Sequence, residues 1–127
     1  MGYAIGAAVA RPKHKTLFVC GDGGFMLGGL AEFASVVREG LNMVTVICND
    51  SAYGAEYIQF EDRQMDPSLA TFAWPSFAAI AQSMGATGLR VSTIAELDAA
   101  LEVVMDTQSP VLLELVLDPA AMPRMHW

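Results

Sequence analysis

A chain of 127 residues with 54% hydrophobic and 17% charged side chains is one domain's worth of sequence, with enough apolar residue to fill a core. Its net charge of −7 and pI of about 4.5 exclude a nucleic-acid surface, which needs clustered Lys and Arg, and equally exclude binding to anionic lipid. So low a charged fraction points to surface covered by a partner, or to parallel strands that are apolar on both faces.

The opening Met1 to Ala8 is apolar but has no basic lead, which predicts no signal peptide. No apolar run nears the roughly 18 residues of a membrane span, so the expected compartment is the cytoplasm. Residues 3–10 read as an Ala-rich helix stopped by Arg11-Pro12. Lys13, His14 and Lys15 read as an exposed turn. Residues 16–20, Thr-Leu-Phe-Val-Cys, are a short apolar run between turn signals, which predicts a buried strand. The Gly-rich turn Gly21-Asp22-Gly23-Gly24 follows. The spacing of Leu30, Phe33, Ala34 and Val37 then predicts a helix over 29–39, ended by Gly40. Residues 43–48 repeat the buried-strand pattern and stop at Asn49-Asp50-Ser51. Cys20 and Cys48, each closing an apolar run, read as buried reduced thiols.

Residues 52–74 carry Tyr53, Tyr57, Phe60, Phe72 and Trp74 and read as a long irregular connection, with Glu61-Asp62-Arg63 as a solvated face. Pro75 fits the first turn of a helix with Phe77, Ile80, Ala81 and Met84 inward and Gly85 at its end. A short strand over 87–91 comes next. The capping box Thr93-Ile94-Ala95-Glu96 opens a helix with Ile94, Leu97, Leu101, Val104 and Met105 inward. A last strand over 111–117 and an extended tail from Pro119 to Trp127 complete the chain.

Strands alternating with helices imply a three-layer α/β/α fold with a mainly parallel sheet. Ligands in such sheets bind beyond the carboxyl ends of the strands. Asp22 and the Asn49-Asp50 pair each follow a strand directly, so they share one edge and become neighbours if those strands pair. The glycines around Asp22 let backbone approach a ligand closely and turn N–H groups toward an anion, beside the positive end of a helix. Asp22 would repel a phosphate unless a cation stood between them, and Mg2+ suits such oxygen ligands. Taken alone, the four residues are more simply a tight Asx turn. The second strand end adds the side chains of Asn49 and Asp50 and the carbonyls of Ser51 and Ala52. Asn49 lies 27 positions after Asp22, one strand–helix–strand unit. Oxygen ligands from two adjacent strand ends beside a Gly-rich turn make a Mg2+–diphosphate site.

The string Gly21-Asp22-Gly23-Gly24-Phe25, a helix, and then Asn49-Asp50-Ser51-Ala52-Tyr53-Gly54 resembles the thiamine-diphosphate motif, a GDG turn followed nearly thirty residues later by Asn. Met1-Gly2-Tyr3-Ala4-Ile5-Gly6-Ala7-Ala8 is similar to the helix start that precedes the motif in the acetolactate-synthase-like branch. The likeness continues through Phe77 to Ala81 and Gly85-Ala86 to the last strand. Residues 1–127 thus resemble the C-terminal diphosphate-binding domain of thiamine-diphosphate-dependent enzymes, lacking its usual first strand and helix. The fold implied is an incomplete thiamine-diphosphate-binding fold.

The resemblance implies roles for particular residues. Asp22 would be a Mg2+ ligand, and Gly23 and Gly24 would give N–H groups to the diphosphate. Gly21, Tyr53 and Gly54 belong to the segments that contact the cofactor, and Met1 aligns with the apolar residue that wedges it into a bent shape. Two readings of the second ligand stay open. Spacing points to Asn49, whereas counting back from Tyr53 points to Asp50. One extra residue around Gly28-Gly29 reconciles the counts in favour of Asp50. The carbonyl of Ser51 or Ala52 would complete the protein ligands. The family's catalytic Glu lies in a different domain, so this chain supplies no catalytic residue and is not expected to be active alone. Its expected partners are a separate pyrimidine-binding domain or subunit, other copies of itself, and a 2-keto acid that the complete enzyme decarboxylates or ligates.

Other readings weigh less. His14 and His126 have no Ser or Cys partner at a recognisable spacing. A phospho-acceptor receiver domain needs a Lys after its last strand, and no Lys follows Lys15. A catalytically inert assembly module that retains only the fold is the alternative that the sequence leaves standing.

Overall fold

Residues 1–119 are described by a computed structural model; the tail beyond Pro119, including His126, lies outside the described residues. Four strands, β1 (Thr16–Gly21), β2 (Met43–Asn49), β3 (Thr87–Val91) and β4 (Val111–Val116), form one parallel sheet in the order β1-β2-β4-β3. Parallel neighbours need crossover connections, and helices supply them on both faces. One face carries α1 (Gly2–Ala10), α3 (Leu30–Arg38) and α5 (Phe77–Ser83). Their core sets Phe33, Val36, Phe77 and Ala81 against Met43, Ile47 and Leu112 of the sheet. The other face carries α6 (Ile94–Asp106), whose Ala100 and Val104 pack on Val44, Val46, Val91, Val111 and Leu113. β2 therefore buries apolar residues on both faces, which is why its sequence reads as an unbroken apolar run.

Phe25 bridges Phe33 and Phe77 edge-on, at centroid distances of 6.2 and 5.7 Å. Such pairs add about 0.5–1.5 kcal/mol each beyond the area they bury. α5 sits so close to β3 that a Cβ at Gly88 would lie 2.0 Å from the Ala78 carbonyl oxygen, a contact that backbone cannot relieve.

Several sequence expectations are corrected. The helix after β1 begins at once: α2 (Asp22–Gly24), a π-helical stretch (Phe25–Gly29) and α3 run on without a break, since both junction residues are helical. Within α3, Val36 is buried and Ala34 is not. The connection over 52–74 is not irregular. It holds α4 (Gly54–Asp62) and a 3-10 turn (Pro67–Ala70), linked by an isolated bridge between Ala52 and Thr71. Pro75 precedes the N-cap Ser76 and stands outside α5. On α6 the buried stripe is Leu97, Ala100 and Val104, whereas Ile94, Leu101 and Met105 face outward. Lys15 is committed, since its ammonium donates to the Val104 and Thr107 carbonyls at the carboxyl end of α6, where a cation meets the negative pole of the helix. Cys20 and Cys48 are free thiols but only half-buried. Burial pushes Cys20 up to about 11 and also raises Cys48, so both stay protonated near neutrality. Among the described residues no helix is long and apolar enough to cross a membrane.

Candidate functional site

β1 and β2 pair with Gly21 opposite Cys48, so the residues that leave these two strands emerge side by side. At the β1 end, Gly21 is extended (φ −75°, ψ 158°) and caps α2 without a side chain. Asp22 is 1% exposed, and its Oδ2 accepts the indole N–H of Trp74 at 2.7 Å. Gly23 lies against the Tyr53 ring: a Cβ there would fall 2.3 Å from the ring edge, so glycine is required for the contact. Gly24 opens onto a cavity of about 340 Å³ that Met1, Phe18, Cys20 and Phe25 also line. Met1 and Gly24 of the Gly-rich turn thus line one cavity.

At the β2 end, the two candidate side chains part company. The Asn49 amide turns into the sheet and donates to Glu114 Oε1 at 2.9 Å, while its oxygen accepts the Ser51 N–H at 3.1 Å. Both of its polar atoms are thus engaged away from Asp22. Ser51 takes the left-handed conformation (φ 59°) that this tight turn requires, and its carbonyl accepts the Phe72 N–H at 2.8 Å. Asp50 instead acts on Asp22, whose carboxyl its charge and a side-chain hydrogen bond both raise. Its Oδ1 accepts the Ala52 N–H at 3.1 Å, and Gly54 leaves room beside its Oδ2, where a Cβ would sit 3.0 Å away.

The π-helical stretch is compatible with one extra residue in this helix. An i→i+5 turn holds one residue more than an i→i+4 turn, so an extra residue is absorbed locally and the flanking helix keeps its register. That stretch covers Phe25–Gly29, where the sequence placed the extra residue. Gly29 tolerates the close approach, since a Cβ there would lie 2.8 Å from the Phe25 ring.

Burial pushes the Asp22 carboxyl above its ordinary range, and the neighbouring Asp50 charge adds to the rise. The Gly23 and Trp74 N–H groups pull it back in part. Two buried carboxyls at neighbouring strand ends, answered only partly by neutral donors, form a hard oxygen pair short of positive charge, which is the donor chemistry Mg2+ takes. Among the described residues no group of three or more His, Cys, Asp or Glu is arranged around a metal position. Two carboxyls are a sparser set, of the kind Mg2+ accepts when other oxygens and water complete it.

Two site residues escaped the sequence reading. Glu114 is fully buried in β4 and ties three elements together: it accepts from Asn49, from Ser76 Oγ at 2.9 Å and from the Ala78 N–H at 3.0 Å, with Arg90 3.5 Å away. A lone acid inside Val-Leu-Leu-Glu-Leu-Val was the available signal. Trp74, noted only as one aromatic of a loop, touches the central carboxylate.

The family model described as thiamine pyrophosphate enzyme, C-terminal TPP binding domain, matches residues 1–115. The mitochondrial acetolactate synthase catalytic subunit of Saccharomyces cerevisiae is 35% identical over 126 residues, covering 93% of this chain and 18% of that protein. An alpha-keto-acid decarboxylase of Mycobacterium avium is 33% identical over 126 residues, covering 96% of this chain and 22% of that protein. The solved thiamine diphosphate-dependent 4-hydroxybenzoylformate decarboxylase of Rhodococcus jostii superposes with a TM-score of 0.79 at 24% identity, covering 91% of this chain and 22% of that one. The chain spans about a fifth of the length of the curated relatives it matches.

Proposed function

The chain belongs to the thiamine pyrophosphate enzyme family, as its C-terminal TPP-binding domain, and we propose that it anchors the diphosphate of thiamine diphosphate through Mg2+ within an acetolactate-synthase-like decarboxylase or carboligase of 2-keto acids. The observation that carries this reading is the pair of buried carboxyls, Asp22 and Asp50, at the paired ends of β1 and β2 beside a glycine-capped helix start.

In this proposal Asp22, Asp50 and the Ala52 carbonyl hold the ion. Asn49 is given the task of shaping the turn, because its amide is tied to Glu114, and the Ser51 carbonyl is tied to Phe72. Gly23 and Gly24 bring backbone N–H groups and the positive end of the helix to the diphosphate. Met1, which lines the cavity that Gly24 opens onto, gives the cofactor an apolar rest. When bound, thiamine diphosphate supplies the carbon centre at which a 2-keto acid is decarboxylated. The residues of this chain bind and orient. The proton-handling Glu is assigned to a separate pyrimidine-binding domain or subunit.

Calorimetric titration of the chain with thiamine diphosphate, with and without Mg2+, tests the reading. Binding should require Mg2+ and disappear in Asp22→Ala. Absence of binding in the wild-type chain would support the inert assembly module instead.

A further inference from the structure

We propose that Trp74 is a positioning residue of this metal site: its indole N–H occupies one oxygen of Asp22 and so presents the carboxylate to the cation through the other. The inference rests on the Mg2+–diphosphate reading above.

The geometry is specific. The indole donates to Asp22 Oδ2 at 2.7 Å, the short range of a hydrogen bond to a charged acceptor. Asp22 is buried, so bulk water does not compete for that oxygen. The ring is also held independently of the bond. It stacks on Phe72, with centroids 4.5 Å apart and planes 19° apart, and Phe72 meets Tyr53 edge-on at 4.7 Å. The Phe72 N–H is pinned to the Ser51 carbonyl, and the Tyr53 N–H to the Ala70 carbonyl. Three aromatic rings anchored to the β2 end thus fix a donor over the β1 end. A flexible donor would have to be ordered when the ion arrives, whereas this one is in place beforehand.

The chemical consequence concerns how Asp22 coordinates. A carboxylate can bind through one oxygen or both. Ca2+, with six to eight ligands, accepts both, whereas Mg2+ holds to a small octahedral shell. With Oδ2 on the indole, Oδ1 is the oxygen left for the ion, and that arrangement favours Mg2+ over Ca2+. Trp74 also keeps Asp22 from swinging away from Asp50.

The test compares the dissociation constants of Mg2+ and of Ca2+ for the full chain, measured by calorimetry in the presence of thiamine diphosphate. Trp74→Phe keeps a ring on Phe72 and removes only the N–H. It should weaken Mg2+ binding about tenfold, the worth of one hydrogen bond to a charged group. Ca2+ should weaken less, so the preference for Mg2+ narrows. A variant with both constants unchanged overturns the proposal. So does equal weakening of both ions together with a lower melting temperature, which would mark a packing role. If Asp22→Ala abolishes binding while Trp74→Phe does not alter it, this inference alone fails. If the wild-type chain shows no metal-dependent binding, the functional reading fails and takes this one with it. A second measurement leaves Trp74 untouched: in a Trp127→Phe background, Mg2+ with thiamine diphosphate should change the Trp74 emission. Calorimetric binding with no such change counts against the role.

Discussion

Two strands of the sheet run at their carboxyl ends into helices, and the two corners are built in opposite ways. After β3, Thr93 opens α6 with a complete capping box: its hydroxyl accepts the Glu96 N–H at 3.2 Å, and the Glu96 carboxylate accepts the Ser92 and Thr93 N–H groups at 2.7 and 3.1 Å. That corner satisfies its own donors and has nothing to offer a ligand. After β1, Gly21 caps α2 with no side chain, and the first helical residue is a buried acid flanked by glycines. The same topological element is closed for stability at one corner and left without a side-chain cap at the other, where the proposal puts the diphosphate and its cation. A handful of residues decides which, and the strands behind them are alike.

The comparison can be broken at either corner. Gly23→Ala should have the largest effect. The new Cβ meets the Tyr53 ring at 2.3 Å, and relieving it moves the ring away from the β1 end. Overpacking of this kind costs about 1–3 kcal/mol. Denaturant unfolding should show the loss, and calorimetry should show metal-dependent binding falling with it. Thr93→Ala removes a helix cap and should cost about 1 kcal/mol. Because α6 lies on the opposite face from the α3 and α5 core and its corner holds none of the residues proposed for the site, binding of thiamine diphosphate should be unchanged. A Thr93 variant that lost binding in proportion to stability would mean that the two corners are not separable.

The same contrast governs what was legible in the sequence. The four strands and the capping box are local patterns, apolar runs between turn signals and a Thr-x-x-Glu string, and they appear where they were read. α4 was missed because it buries none of its residues, so it carries no apolar stripe. Ile94 and Met105 were misassigned for the converse reason: they are apolar at helical spacing yet about three-quarters exposed, and hydrophobicity alone does not say which stripe of α6 meets the sheet. At the site, the meeting of Asp22 with the β2 end followed from strand topology. The diversion of Asn49 depends on Glu114, 65 positions away, and the Asp22 contact depends on Trp74, 52 positions away. No spacing rule reaches that far. The π turn over Phe25–Gly29 likewise carries no sequence signal of its own and needed coordinates.

The smallest expected effect is the most pointed, because its sign opposes ordinary experience with buried residues. A corner built to hold a cation, as proposed, should be a liability without one. Burial and Asp50 hold the Asp22 carboxyl above its ordinary value of 3.8, so the fold favours the neutral acid. The stability this contributes is present below 3.8 and is lost as pH rises through the raised folded value. Asp22→Asn removes that loss. Its amide oxygen can still accept from Trp74, and its NH2 faces Asp50 as a donor. The metal-free variant should therefore melt higher than wild type at neutral pH, with the difference closing as pH falls toward 3.8. Adding Mg2+ with thiamine diphosphate should reverse the order, since only the wild type gains the ligand's stabilisation. Thermal melts with chelator and then with Mg2+ and cofactor decide it. A metal-free Asn variant that melts below wild type at neutral pH would show that the Asp22 charge is already balanced by the corner itself, and the contrast with the self-capped α6 corner would be lost.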